Sequence, residues 1–406
     1  MVRSKKIPIP IAGGLPKSLF MIPAKTNIAI IGGGPIGLYL GLRLHQMGID
    51  CVILEKRTGI DHHSKSLGIH PVSLELFREA QIIDPFLEDG LKIRRGIAFW
   101  NREKIGDISF DACPEPYQYI LAIPQWKTEE ILQNQLHKSG RDILYRNAEV
   151  QSVQQEKSGV SISGRFNDSD FGISADFVVG CDGKNSFVRE SANIPFDGGP
   201  YPDYYIMGDF DDGTDFKQDA AVYLHDDGLV ESFPLPNGHR RWVVKTDQFY
   251  ESPILELLHE IVSERVGYSL KAEKNYMTSS FGVQQFLART LHSGRILLAG
   301  DAAHVVSPIG GQGMNLGWIG AEQSALALQA AVKDSSAAEN YFSKYTKHHR
   351  KIAKQTARRA EMNMHLGRKE SSTLLYKLGV KMMLKPPLSR LMANLFTMRG
   401  LGKWII

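Results

Sequence analysis

"NIAIIGGGPIGLYLGLRLHQMGIDCVILEKR", residues 27–57, decides the fold. Ile28, Ile30 and Ile31 read as a short buried strand that runs into three glycines. From Pro35 to about Gly48 the apolar residues recur at helical spacing, and Cys51–Leu54 reads as a second strand. Strand, turn, helix and strand in this order form a βαβ unit with parallel strands. Within it lies Gly32-x-Gly34-x-x-Gly37, after a strand and at the start of a helix, the context in which this spacing is informative. Gly32 permits a tight turn, Gly34 lets backbone approach a pyrophosphate, and Gly37 lets helix and strand pack closely. The helix start offers unpaired N–H groups to phosphate. Glu55, at the end of the second strand, stands where a carboxylate accepts from a ribose 2′-hydroxyl, which disfavours a 2′-phosphate. An FAD-like or NAD-like dinucleotide is expected.

A second glycine-rich turn separates those two. In "LLAGDAAHVVSPIGGQGMN", residues 297–315, a strand (Ile296–Ala299) stops at Gly300-Asp301. Asp301 is placed to accept hydrogen bonds from a polyhydroxyl chain. Pro308–Gly313 gives backbone able to lie flat against a planar ring, and a helix from about Gly313 turns its positive end towards it. Reduced flavin carries negative charge near N1 and the C2 carbonyl, so such a helix end suits it. NAD has no ribitol to use this site; FAD uses both turns.

The rest of the chain frames these two sites. A helix is predicted from Pro71 to about Ala80, and another in "PQWKTEEILQNQLHKSG" with Thr128 as its N-cap. Residues 143–182 alternate and end in "ADFVVGCDG". A β-rich stretch covers about 203–245, with "PNG" at Pro236–Gly238 as a hairpin signal. Leu255–Arg265 reads as helix, 279–287 as extended, and most of 313–366 as helix. The expected architecture is α/β: a Rossmann-like FAD-binding domain (26–200 and 279–366), an inserted, mostly antiparallel β-sheet substrate domain (201–278) and a helical C-terminus. Residues 1–25, basic and without an acid, read as a flexible leader.

Bulk properties narrow the function. The 406 residues are 43% hydrophobic and 23% charged, which excludes wholesale disorder, and a net charge of +4 does not suggest nucleic acid. Three scattered cysteines point to a reducing, cytoplasmic setting without structural zinc. His62 and His63 lack a third ligand and read as solvated loop, and Asp226–Asp227 as a turn. Residues 371–406 contain no acid but hold Lys377, Lys381, Lys385, Arg390, Arg399 and Lys403 among apolar side chains. That is either a helical pack on the FAD domain or a peripheral contact with anionic lipid.

"GGGPIGLYLGLRLHQMGIDCVILEKR", "VVGCDGKNSFVRE" and "RILLAGDAAHVVSPIGGQGMNLG" together resemble, in order and spacing, the fingerprints of class A flavin monooxygenases. This is the para-hydroxybenzoate hydroxylase family, with the ubiquinone-pathway hydroxylases among its members. The resemblance implies that Gly32, Gly34, Gly37 and Glu55 hold the ADP half of FAD, that Ile36 also belongs to the cofactor site and that Gln125 contacts the flavin. It implies that Asp301 binds ribitol and that Pro308, Gly310, Gly313, Met314 and Asn315 line the isoalloxazine. Asp182-Gly183 matches a motif linked to FAD and NAD(P)H; a plain strand-to-helix turn, with Ser186 and Arg189 on the surface, is the alternative. Lys65 stands where the family has an arginine, and Gly320 and Gln323 stand where it often has Asp and Asn. His304 has no fixed chemical role there and reads as a local packing or hydrogen-bonding residue.

The function implied is an FAD-dependent monooxygenase: NADPH or NADH reduces FAD, and O₂ adding at flavin C4a hydroxylates an aromatic or other electron-rich, small and lipophilic molecule. No second GxGxxG unit is present for the nicotinamide, which must dock transiently. Tyr223, His225 and Arg241, in the β-rich insert, are the candidate substrate contacts. A reductase or oxidase on this scaffold, such as a prenyl-chain reductase, and a non-catalytic flavin-holding membrane adaptor are the rival readings.

Overall fold

The structure, a computed structural model, describes residues 21–62, 66–140, 142–252, 255–271, 274–366 and 374–401. The leader up to residue 20, His63, Lys65 and Lys403 lie outside them. Lys25–Ile31 is the central strand of the first sheet, because its residues are buried on both faces, as a parallel core strand requires. It pairs in parallel with Cys51–Glu55 on one side and with Ser169–Gly180 on the other. Leu144–Arg146 extends the first side and Ile296–Leu298 the second. The strand order therefore reverses between Lys25–Ile31 and Ser169–Gly180. In open parallel sheets the ligand crevice opens there, beyond the carboxyl ends of the strands. Gly32 and Cys181 occupy those two ends.

The second sheet is built on two long antiparallel strands, Phe196–Asp211 and Asn275–Ala288. Beside them runs the hairpin of Val230–Leu235 and His239–Thr246, turning at Asn237 with φ of 63°. Ala220–Leu224 follows and pairs in parallel with Arg95–Trp100, which in turn pairs with Glu103–Ser109. Two strands of this sheet thus come from residues 95–109, inside the stretch assigned by sequence to the nucleotide domain. They join the sheet through the pairing of Arg95–Trp100 with Ala220–Leu224, more than a hundred residues away, which local patterning does not register. One face packs Ile206, Phe210, Trp242 and Val244 against Leu258, Ile261 and Val262 of the helix Leu255–Val266. The other face closes the crevice of the first sheet.

Local details depart from expectation at helix starts. The helix Gln125–Lys138 begins directly after Pro124, so Thr128 is its fourth residue and not its cap. Thr128 is fully buried, and its N–H already bonds the Pro124 carbonyl. Pro124, in extended backbone, holds the cap position without offering a side-chain acceptor. At the DG turn, Ser186 and Arg189 are buried, not surface residues. Ser186 caps the short helix Phe187–Ser191 through the Arg189 N–H, and the Arg189 guanidinium stacks 3.9 Å from the Phe196 ring centre.

The basic tail forms two helices, Leu374–Met383 and Leu388–Phe396, laid across the second sheet. Met392 and Ala393 pack with Ile93, Ile108 and Phe110. Lys377 and Lys381 both reach Glu103, and Arg399 pairs with Glu75. Three of the five described basic groups therefore meet acids of the body. Among the described residues no helix is long and apolar enough to cross a membrane. Deleting residues 374–406 is expected to uncover Ile93, Ile108 and Phe110, lower the melting temperature and cause aggregation. A truncated protein that stays monodisperse by light scattering, with unchanged melting, would show the tail to be dispensable.

Candidate functional site

One cleft of about 1140 Å³ runs from the Gly32 turn, past Asp301 and Pro308–Met314, to the second sheet. It exceeds the ~300–1,000 Å³ usual for a single small-molecule site. Its glycines divide into two kinds. Gly32, at φ of +108°, would put a β-carbon 2.4 Å from the Cys181 carbonyl oxygen, and Gly37 would put one 1.9 Å from the Gly32 oxygen. Both are demanded by the protein's own backbone. Gly34 is different: the nearest atom to its β-carbon would be an Arg57 nitrogen, 3.9 Å away. Nothing in the chain needs that space, which lies over the start of the helix Pro35–Gln46. A diphosphate approaching the free N–H groups would fill it.

Glu55 is buried at the end of its strand and accepts from the Gly33 N–H at 2.6 Å and the Arg57 N–H at 2.8 Å. The Arg57 guanidinium adds contacts at 3.1 and 3.4 Å. A carboxylate has about four lone-pair positions, so a ribose hydroxyl reaches Glu55 only in exchange for Arg57. Burial opposes the charge on Glu55, but these donors outweigh it and hold the carboxyl below its ordinary range. Arg57 also lines the cleft and reaches Glu129. Sequence reasoning passed over it, although it stands two residues after the acid in "LEKR". Gln125 lines the same end and donates to Glu129 at 3.0 Å.

Asp182 uses one oxygen to accept from the Val188 N–H, while the other is buried without a partner among the described residues and belongs to a cleft-lining residue. Burial raises its carboxyl, against the Ser186 and Val188 hydrogen bonds. The DG turn is thus both a helix cap and part of the cleft wall. Asp301 follows Gly300, whose φ of 62° turns the chain at the end of Ile296–Leu298. Its carboxylate is open to the cleft yet walled by protein, with no hydrogen-bond partner among the described residues. Desolvation lifts it from 3.8 to about 6.

The turn at Pro308–Gly311 has Gly310 and Gly311 at φ of 86° and 65°, and the helix Gln312–Lys333 starts there. Pro308, Gly310, Gly313 and Met314 line the cleft with Ile36. Asn315 does not. Its amide donates to the Gly68 and Gly311 carbonyls and accepts from the His70 N–H, so the fully buried side chain stitches the turn to its neighbours. Two residues along, Gly317 lies against Ile36. The departures at Gly320 and Gln323 share one cause. His349 occupies the space over Gly320, donates from Nδ1 to the Gln323 Oε1 at 3.1 Å and meets His304 at 2.9 Å. Burial lowers His304 to about 4, so this is a neutral, packed chain.

The second sheet contradicts two of three substrate candidates. Tyr223 points to the opposite face, stacked on Phe99 at 4.4 Å, and burial pushes it up to about 12. Side chains alternate along a strand, so the neighbours Val222 and Leu224 face the cleft instead. His225 sits on the turn beside Asp227, off the cleft. Arg241 does line the cleft, its guanidinium held by Asp209 at 2.6 and 2.8 Å. Among the described residues no cluster suits a metal ion.

A doubly glycine-cradled crevice at the switch of a parallel sheet, walled by a β-sheet, defines a dinucleotide-binding protein with an adjoining pocket. A family model described as "FAD binding domain" matches residues 25–360. The chain belongs to this family, and FAD is its cofactor. "Uncharacterized aromatic compound monooxygenase YhjG" of Bacillus subtilis (strain 168) is 32% identical over 77% of this chain and 63% of its own length. Between 61% and 65% of the length of the first three curated relatives is spanned by the chain. OxyS anhydrotetracycline hydroxylase from Streptomyces rimosus superposes with a TM-score of 0.75 at 26% identity, over 92% of this chain and 76% of that one. p-Nitrophenol 4-monooxygenase PnpA from Pseudomonas putida DLL-E4 shares the fold, with a TM-score of 0.84 at 21% identity, over 94% of this chain and 100% of that one.

Two outcomes follow from the geometry. Gly34→Ala should leave melting nearly unchanged while weakening FAD at least about tenfold, whereas Gly32→Ala should fold poorly, because its β-carbon meets backbone. Equal melting losses in both would contradict the division. FAD affinity should rise with pH up to about 6 and level off above it, since ribitol hydroxyls favour the ionised Asp301 and binding then releases a proton. Asp301→Asn should abolish that slope, and Asp301→Ala should cost about ten- to a hundred-fold in affinity; fluorescence titration of apoprotein with FAD across pH reads both.

Proposed function

We propose that the protein is an FAD-dependent monooxygenase that uses NADPH or NADH and O₂ to hydroxylate an aromatic small molecule. The observation that carries this is continuity: one cleft joins the glycine cradle and Asp301 to an apolar sheet face. The names of the relatives and of OxyS support the same chemistry. In the balanced reaction a substrate C–H, O₂, NAD(P)H and a proton give C–OH, water and NAD(P)⁺. FAD, when bound, carries the electrons from nicotinamide to oxygen.

The chain's own residues supply position and electrostatics. Gly32, Gly34, Gly37 and Glu55 would take the ADP half, Asp301 the ribitol, Gln125 the flavin, and Pro308, Gly310, Gly313 and Met314 the ring, with Ile36 beside them in the cofactor site. The start of the helix Gln312–Lys333 presents its positive end where reduced flavin gathers negative charge. Val222, Leu224, Val243 and Phe233 keep water from the substrate side, and Met383, Leu384, Met392 and Phe396 of the tail helices roof it. That use of the tail's apolar side supports a structural role over lipid attachment.

Purified protein should carry FAD that acid or heat releases, and phenols should stimulate NAD(P)H oxidation coupled to O₂ uptake. The product should gain one oxygen by mass. NAD(P)H oxidation that proceeds without O₂ and yields a reduced product would replace this reading with a reductase.

A further inference from the structure

The sheet face that closes the cleft is largely apolar, with Glu231 and Arg241 as its charged groups and Ser280 and Gln284 of the strand Asn275–Ala288 as further polar lining. Cross-strand pairing sets Val222 directly opposite it on one side and Val243 on the other, with Met207 opposite Val243. Leu229 and Phe233 flank it along its own strand, and all six of these residues line the cleft. Glu231 is only 8% exposed, yet its carboxylate has no hydrogen-bond or ion partner among the described residues. The cation on this face, Arg241, lies opposite Phe233, diagonal to Glu231, and both its forks go to Asp209. The tail helices over the pocket contribute Val380, Met383, Leu384, Met392 and Phe396, none of them charged.

A carboxylate in such surroundings loses water and gains nothing in return, which pushes it up to about 7. The glycine turn at Gly32 and Asp301, which would take diphosphate and ribitol, belong to the first sheet, while the turn Pro308–Gly311 reaches this face through Ile309, packed with Met207, Leu229 and Val243. What Glu231 lacks is a donor, and a donor can reach it only from inside the pocket. We propose that Glu231 is the substrate-recognition residue: it accepts a hydrogen bond from a hydroxyl on the aromatic ring, selecting neutral hydroxyl-bearing rings and rejecting carboxylate-bearing ones. This deepens the monooxygenase reading and rests on it. The unpaired acid is costly to the fold, so a leucine there should stabilise the protein while removing the selection.

The test uses the full-length, FAD-loaded protein and three probes: phenol, its methyl ether anisole, and benzoate. Binding is read from the perturbation of the flavin absorbance and needs no turnover. Wild type should bind phenol at least about tenfold more tightly than anisole, with benzoate weakest. Glu231→Leu should bring the phenol-to-anisole ratio close to one and raise the melting temperature. Glu231→Gln, which keeps shape and an acceptor but no charge, should retain part of the phenol preference and admit benzoate. If Glu231→Leu fails to fold, the benzoate arm of Glu231→Gln carries the decision alone. A wild type without phenol preference, or variants with wild-type ratios, would overturn the assignment. Absence of O₂-coupled turnover would instead strike the monooxygenase reading, and the binding ratios would still stand on their own.

Discussion

Between Gly32 and the carbonyl of Cys181 there is no room for a β-carbon. This contact brings together the ends of two neighbouring parallel strands at the place where strand order reverses. Gly37 then closes the helix Pro35–Gln46 down on Gly32, so the helix start is aimed into the crevice and not over it. Everything the cleft does depends on that approach. A side chain at either glycine would push the helix away from the sheet and take its free N–H groups out of reach of a phosphate.

The late turn at Pro308–Gly311 depends on the same region from the other side. Ile36, two residues into the first helix, fits against Gly300 and Gly317, so the two glycine-rich turns are packed against each other although they are far apart in sequence. Asn315 then ties the second turn to its neighbour, with one hydrogen bond to Gly311 in the turn, one to Gly68 of the strand Gly68–Ile69 and one from His70 just after it. A side chain spent in this way sets the shape of the ring site without touching a ring. Further along this helix, Gln323 joins His349 of the helix Ala338–Leu366 and His304 of a short strand in a buried neutral chain, which burial favours over a charged one.

The second sheet shows the opposite economy. One face is satisfied by a helix, and the other is left apolar and facing the cleft. The tail helices complete it, with their apolar side as the roof and their lysines on Glu103. Stability and pocket therefore share the same residues. A buried acid without a partner on such a face is a feature that packing alone would remove, since hydrophobic replacement is neutral or favourable there.

How much was legible in the sequence varied with the range of the interaction. The βαβ unit, Gly32, Gly34 and Gly37, the Asp301 turn and the hairpin at Asn237 were readable, because local backbone geometry restricts those positions to few residue types. Sheet membership of residues 95–109 was not, since their partner strand is remote in the chain. Nor was facing: Tyr223 and Val222 differ by one residue, and only the register with Val230 and Glu231 decides which one meets the cleft. Glu231 could have been noticed as the single acid in "VESFPL", but alternation leaves open which face is wet. Thr128 and Asn315 were misjudged for a related reason: the residue type was right for a cap or a ring contact, but which partner comes first is settled by three-dimensional neighbours. Sequence by itself determined the places where backbone must turn or approach closely. Tertiary structure alone decided which polar groups were already satisfied, because hydrogen-bond partners come from strands and helices that the chain brings together only on folding.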